Sequence, residues 1–154
     1  MFFVSDSEEF KKSKIRDYLN GEPMIAILLA AANWEWSVGR CILFFGNRPN
    51  LELRYSLAHC YGLDRYKSLW KEELSDNDAS IPRLPILIKQ WNDFALAFEF
   101  RHRLIHGRGT CTRNMATKPI EMMIEATSDL YEFARLRGTN LNSRLVVRRK
   151  NKQV

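Results

Sequence analysis

The chain is poor in the residues that cross-link, kink or loosen a fold. It has three cysteines, five prolines and seven glycines in 154 residues. Cys41, Cys60 and Cys111 are odd in number and widely spaced, which excludes a disulfide framework and a CxxC metal knuckle. Thiols used this way fit a reducing compartment, so a cytoplasmic location is expected. So little glycine and proline excludes a collagen-like or low-complexity chain. Also absent are a glycine-rich phosphate loop, a GxSxG elbow and an HExxH zinc motif. No segment alternates as a half-buried strand would, and no internal repeat recurs. The first residues, Met1-Phe-Phe-Val-Ser-Asp-Ser-Glu-Glu, are apolar and then acidic. A secretory signal begins basic and carries a longer apolar run, so none is expected. The most apolar stretch, Met24 to Phe45, could span a bilayer by length, but it contains Asn33, Glu35 and Arg40. Such groups are costly in lipid, so a buried helix of a soluble protein without a membrane partner is expected.

Acid is missing from two places, and the charge pattern follows from that. The net charge is +6, yet residues 1–99 carry −2 and residues 121–132 carry −4. Residues 100–120 hold Arg101, Arg103, Arg108, Arg113 and Lys118 without one acid. Residues 133–154 hold seven cations, again without an acid. The protein is a near-neutral body with two basic islands, a pattern that suits phosphate contacts. Hydrophobic residues make up 45% and charged residues 27%, enough for a packed core. One domain is expected over residues 1–143, followed by a basic tail, 144–154, that is mobile in isolation.

What is present reads as helix. Ser5 with Glu8 three residues on forms a capping box, and Asn20-Gly21 ends the first helix. Pro23 opens a second that runs to about Phe45 and is apolar on most sides. Pro49 starts a third, with a break near Gly62 and apolar residues resuming from Leu63 to Leu74. Residues 75–78, with Pro82 and Pro85, form a loop. A fourth helix covers Leu84 to His106 and stops at Gly107. Thr117 and Pro119 open a fifth that ends near Gly138. The fold class expected is all-α, an antiparallel bundle of four to five helices.

The segment Glu99-Phe-Arg-His-Arg-Leu-Ile-His-Gly-Arg108 carries the chemistry. On a helical wheel Trp91, Phe94, Ala95, Phe98, His102 and Ile105 form one stripe, with Leu96, Phe100 and Leu104 nearly opposite. One face serves the core; the other needs more core or a second subunit, so a homodimer is one expectation. Arg101 and His106 flank the first stripe, about 140° and 7.5 Å apart on an ideal helix. A helix end that unwinds at Gly107 can bring both to one pocket. A neutral imidazole can take the proton of a ribose 2′-hydroxyl or give one to the leaving 5′-oxygen. A guanidinium can hold the phosphate and stabilise its transition-state charge. Neither step needs a metal or other cofactor, and no metal site is expected.

The residues Arg101-His102-Arg103-Leu104-Ile105-His106, followed by Gly107, resemble the ribonuclease motif of the HEPN superfamily. That motif is an Arg, a polar residue, three further residues and a His. The order of apolar helices over residues 7–138 is also similar to its bundle. The resemblance implies a metal-independent endoribonuclease, a toxin or anti-phage factor, with an active site built across a dimer. It implies catalytic roles for Arg101 and His106 with His102 in support; the acid-free basic island around them puts Arg103, Arg108 and Arg113 forward for RNA or phosphate contacts. It also implies an acidic or polar helper from an earlier helix, for which Glu35 and Asn33 both qualify, and an antitoxin or defence-system partner.

Other readings stand beside this one. His102 could be a hydrogen-bonded core histidine, and Arg101 and Arg103 could be cations favoured by the helix dipole. Arg54-Tyr-Ser-Leu-Ala-His59 has the same spacing, but lacks the polar second residue and the glycine, and is read as structural. A non-catalytic helical bundle that binds nucleic acid, a nucleotide or a partner protein is the alternative function. A helix-turn-helix DNA binder fits less well, since no tight turn joins two short helices with a polar recognition face.

Overall fold

The computed structural model describes residues 6–149. Among these there are seven α-helices, one π-helical turn and no strand. The helices are α1 (Glu8–Gly21), α2 (Pro23–Phe45), α3 (Asn50–Ala58), α4 (Leu63–Trp70), α5 (Leu84–Leu87), α6 (Trp91–Ile105) and α7 (Arg113–Leu136). The π-helical turn Lys71–Ser75 prolongs α4. The all-α expectation holds, but the count exceeds four to five. The expected fourth helix divides at Ile88–Gln90, where Ile88 turns extended. The Lys89 N–H there donates to the Asp129 carboxylate of α7 at 3.0 Å instead of to a helical carbonyl. A charge-assisted bond of this kind is a strong competitor for a backbone donor.

Local chemistry places the helix ends. The Ser7 hydroxyl caps α1 by accepting the Phe10 N–H at 3.1 Å. Ser5, expected in that role, lies outside the described residues. The start of α7 is Arg113 rather than Thr117, because the Thr112 hydroxyl accepts the Met115 N–H. Pro119 therefore sits inside the helix, in its second turn.

Four long helices make the bundle. Glu8 meets Ser128 while Arg16 meets Glu121, so α1 runs antiparallel to α7. Gln90 bonds Glu125 ahead of α6 while Lys118 faces Asp93, so α6 is also antiparallel to α7. Cys41 contacts Leu130 and Phe45 contacts Phe133, so α2 and α7, the central pair, run parallel. This departs from a wholly antiparallel bundle: α2 and α7 are not consecutive, so no short connection dictates their sense. The centre of α2 is Trp34, fully buried, with the rings of Tyr66, Phe94 and Phe98 within 4.7–5.5 Å. Such tilted aromatic pairs hold α4 and α6 against α2. No helix of the described residues is long and apolar enough to cross a membrane.

The basic tail is bonded to the body as far as it is described. The Asn50 amide donates to Val146 O, its oxygen accepts the Arg148 N–H at 2.9 Å, and its own N–H donates to Arg148 O. The Arg148 guanidinium donates to Leu43 O and Arg48 O. These are carbonyls left without helical partners at and after the end of α2, so the arginine works as a C-terminal cap.

Candidate functional site

The last turns of α6 are built to project side chains. Gly107 takes φ of +65°, which ends the helix at Ile105 and leaves His106 at its cap. Phe94, Ala97, Phe98 and Leu104 anchor the helix in the core. Ala95, Phe98, His102 and Ile105, one continuous stripe in sequence, line a cleft of 560 Å³ together with Arg101 and His106. The stripe expected to serve the core therefore does so only in its first half. Glu35 of α2 and Cys60, Tyr61, Gly62 and Leu63 at the α3–α4 corner line the cleft as well.

His102 is exposed, which overturns the buried core reading of that residue. The His102 and His106 rings lie 4.4 Å apart, centroid to centroid, tilted by 63°. The Arg101 guanidinium is partly buried, 5.5 Å over the Phe98 ring and 3.5 Å from a Glu35 carboxylate oxygen. It makes no hydrogen bond to a described residue, and its buried Nε has no partner. A buried donor without an acceptor is costly, so Arg101 has unspent capacity for an anion. Burial pushes the Glu35 carboxyl above its ordinary range, and the charge of Arg101 opposes the rise. Burial also raises the Cys60 thiol, with Arg65 opposing.

Of the other residues picked out by sequence, Asn33 is buried in the core and does not line the cleft. It lies two positions from Glu35, hence on nearly the opposite face of α2. Arg103, Arg108 and Arg113 are exposed and lie outside the cleft lining. Arg103 stacks over Phe100, beside a second groove that holds Leu96, Met115 and Lys118. None of the three forms an ion pair with a described residue. Arg54 and His59 are exposed on α3 and its cap, and the His59 Nδ1–H donates to Tyr55 O at 2.8 Å. Sequence reasoning assigned no role to Glu99, the first residue of the segment it singled out, or to Tyr61, and both line the cleft. Glu99 falls four residues after Ala95 and three before His102, so helical spacing alone could have found it. Tyr61 comes from a corner, where periodicity gives no signal.

A larger hollow of 720 Å³ lies between the start of α1 and the end of α7, but it holds no histidine. Its Glu8 is engaged by Ser128 and Lys12. Among the described residues no group of three or more His, Cys, Asp or Glu side chains is placed to hold a metal ion. Comparisons with protein-family models, with curated proteins and with solved structures find nothing that matches this chain.

Proposed function

We propose that the chain is a metal-independent endoribonuclease of the HEPN type. The observation that carries this reading is one cleft lined by Arg101, His102, His106 and Glu35 together. In the proposed step, neutral His106 removes the proton of a ribose 2′-hydroxyl. The 2′-oxygen attacks phosphorus, and the bond to the 5′-oxygen breaks. A protonated imidazole supplies the proton that the leaving oxygen takes. The products are a 2′,3′-cyclic phosphate and a 5′-hydroxyl, with atoms and charge balanced. Arg101 pairs with the non-bridging oxygens, where transition-state charge grows. Glu35, 3.5 Å away, positions that guanidinium.

His102 and His106 of one copy lie side by side, 4.4 Å apart between ring centroids. In this reading the proton donor is a histidine of a second copy, and the working unit is a homodimer. Exposed Ile105, which lines the cleft, is apolar surface available for that contact. Arg103, Arg108 and Arg113 extend the phosphate path beyond the cleft. A cytoplasmic toxin or anti-phage role, with an antitoxin or defence-system partner, belongs to the same proposal.

The test is RNA cleavage in EDTA by the wild type, Arg101→Ala and His106→Ala. Loss in both variants, with helical circular dichroism unchanged, supports the reading; full cleavage by both removes it.

A further inference from the structure

Three aromatic rings at the α3–α4 corner have no role in the chemistry above. Tyr61 is 84% exposed and Tyr55 is 70% exposed. His59 lies between them, 4.4 Å from the Tyr55 ring and 6.4 Å from the Tyr61 ring. The corner is held in shape. The His59 Nδ1–H donates to Tyr55 O, which orients its ring, and Gly62 adopts φ of +96° to turn the chain into α4. A carbonyl cannot donate, so Nδ1 carries a proton and Nε2 is the nitrogen left for other partners. Rings this exposed contribute little to the core, so packing does not explain their clustering. Two exposed arginines, Arg54 and Arg65, sit on the helices either side of the corner. Tyr61 is also a wall of the cleft that holds Arg101 and His106. The row of rings is thus continuous with the proposed site.

We propose that Tyr55, His59 and Tyr61 form a nucleobase-stacking subsite, which holds an unpaired base of the RNA next to the phosphate at Arg101. The inference rests on the ribonuclease reading of the cleft and deepens it. Exposed aromatic rings flanked by arginines are the usual recipe for gripping single strands: rings take the bases and guanidiniums take the phosphates. A base in a duplex has both faces covered by its neighbours, so it cannot use such a ring without being unstacked. The cleft volume, 560 Å³, falls within the range of sites that enclose a small molecule, so one nucleotide fits while its neighbour lies on the rings outside. The subsite reads the flat face of a base, so it discriminates base from no base more than one base from another.

The test uses the His106→Ala protein, so that RNA is bound without being cut. Its affinity is measured by fluorescence anisotropy for a labelled single-stranded 12-mer, for an abasic 12-mer of equal charge and for a duplex of the same length. Tyr61→Ala in that background is expected to weaken binding of the base-bearing strand by about 5- to 150-fold, the worth of one base–aromatic stack. Binding of the abasic strand is expected to stay unchanged, and Tyr61→Trp is expected to restore the difference. Tyr61 is exposed, so these variants should keep the parent melting temperature. Unchanged preference for the base-bearing strand in Tyr61→Ala overturns the subsite and leaves the ribonuclease reading standing. No RNA binding by the His106→Ala parent overturns both. If Tyr61→Ala instead separates a dimer while RNA affinity holds, the rings belong to a contact between copies and the subsite is overturned.

Discussion

Phe98 joins the core to the cleft, so its replacement tests whether the aromatic cluster supports the site. Its ring meets Trp34 at 5.4 Å and Phe94 at 5.6 Å, and the Arg101 guanidinium lies 5.5 Å over it. Phe98→Leu keeps an apolar side chain while removing all three ring interactions. Each aromatic pair is worth about 0.5–1.5 kcal/mol beyond its buried area. The cation–π contact adds about 0.5–1 kcal/mol at a part-exposed site. The expected loss is therefore about 1.5–4 kcal/mol, read from urea unfolding. For a chain of this size that corresponds to a fall of about 3–16 °C in melting temperature. A double-mutant cycle with Arg101→Met isolates the guanidinium share, expected at about 0.5–1 kcal/mol of coupling. A total loss below about 0.5 kcal/mol, the level of an inconsequential surface change, would refute the view that this ring supports Arg101. So would a coupling of zero.

Two further outcomes follow from the same contacts. Burial raises the folded Glu35 carboxyl above its ordinary value of 4.5, so its favourable contribution is present below that value and is lost as pH rises through the folded one. The wild type should gain stability relative to Glu35→Gln as pH falls from about 7 towards 4.5, measured by urea midpoints; the opposite slope contradicts the assignment. Asn50→Ala removes the amide bonds to Val146 and Arg148, so trypsin should cut the tail near Arg148 faster. The body should lose no more than about 1–3 kcal/mol, the worth of two neutral hydrogen bonds.

Spacing along one helix made the pairing of Arg101 with His106 legible, because both are read on a single wheel with a glycine stop beyond. Which of Glu35 and Asn33 lines the cleft was not legible. The choice depends on which face of α2 turns towards α6, and that is set by Trp34 packing on Phe94 and Phe98. The break between α5 and α6 was illegible because its cause, Asp129, lies 40 residues away in α7. The tail looked unattached because it has few apolar residues. Its attachment is instead polar, through Asn50 and Arg148, and periodicity does not report hydrogen bonds. The parallel sense of α2 and α7 is tertiary information of the same kind. A core histidine was one reading of His102 because it lies on an apolar stripe, but the stripe leaves the core after Phe98 and opens into the cleft.

The most direct measurement of the central claim is the identity of the RNA ends left by the wild-type protein in EDTA, read by mass spectrometry. The expected ends are 2′,3′-cyclic phosphate and 5′-hydroxyl, with no cutting of 2′-O-methyl RNA and none by His106→Ala. Ends bearing a 3′-hydroxyl, or undiminished cutting of the methylated strand, would contradict the account.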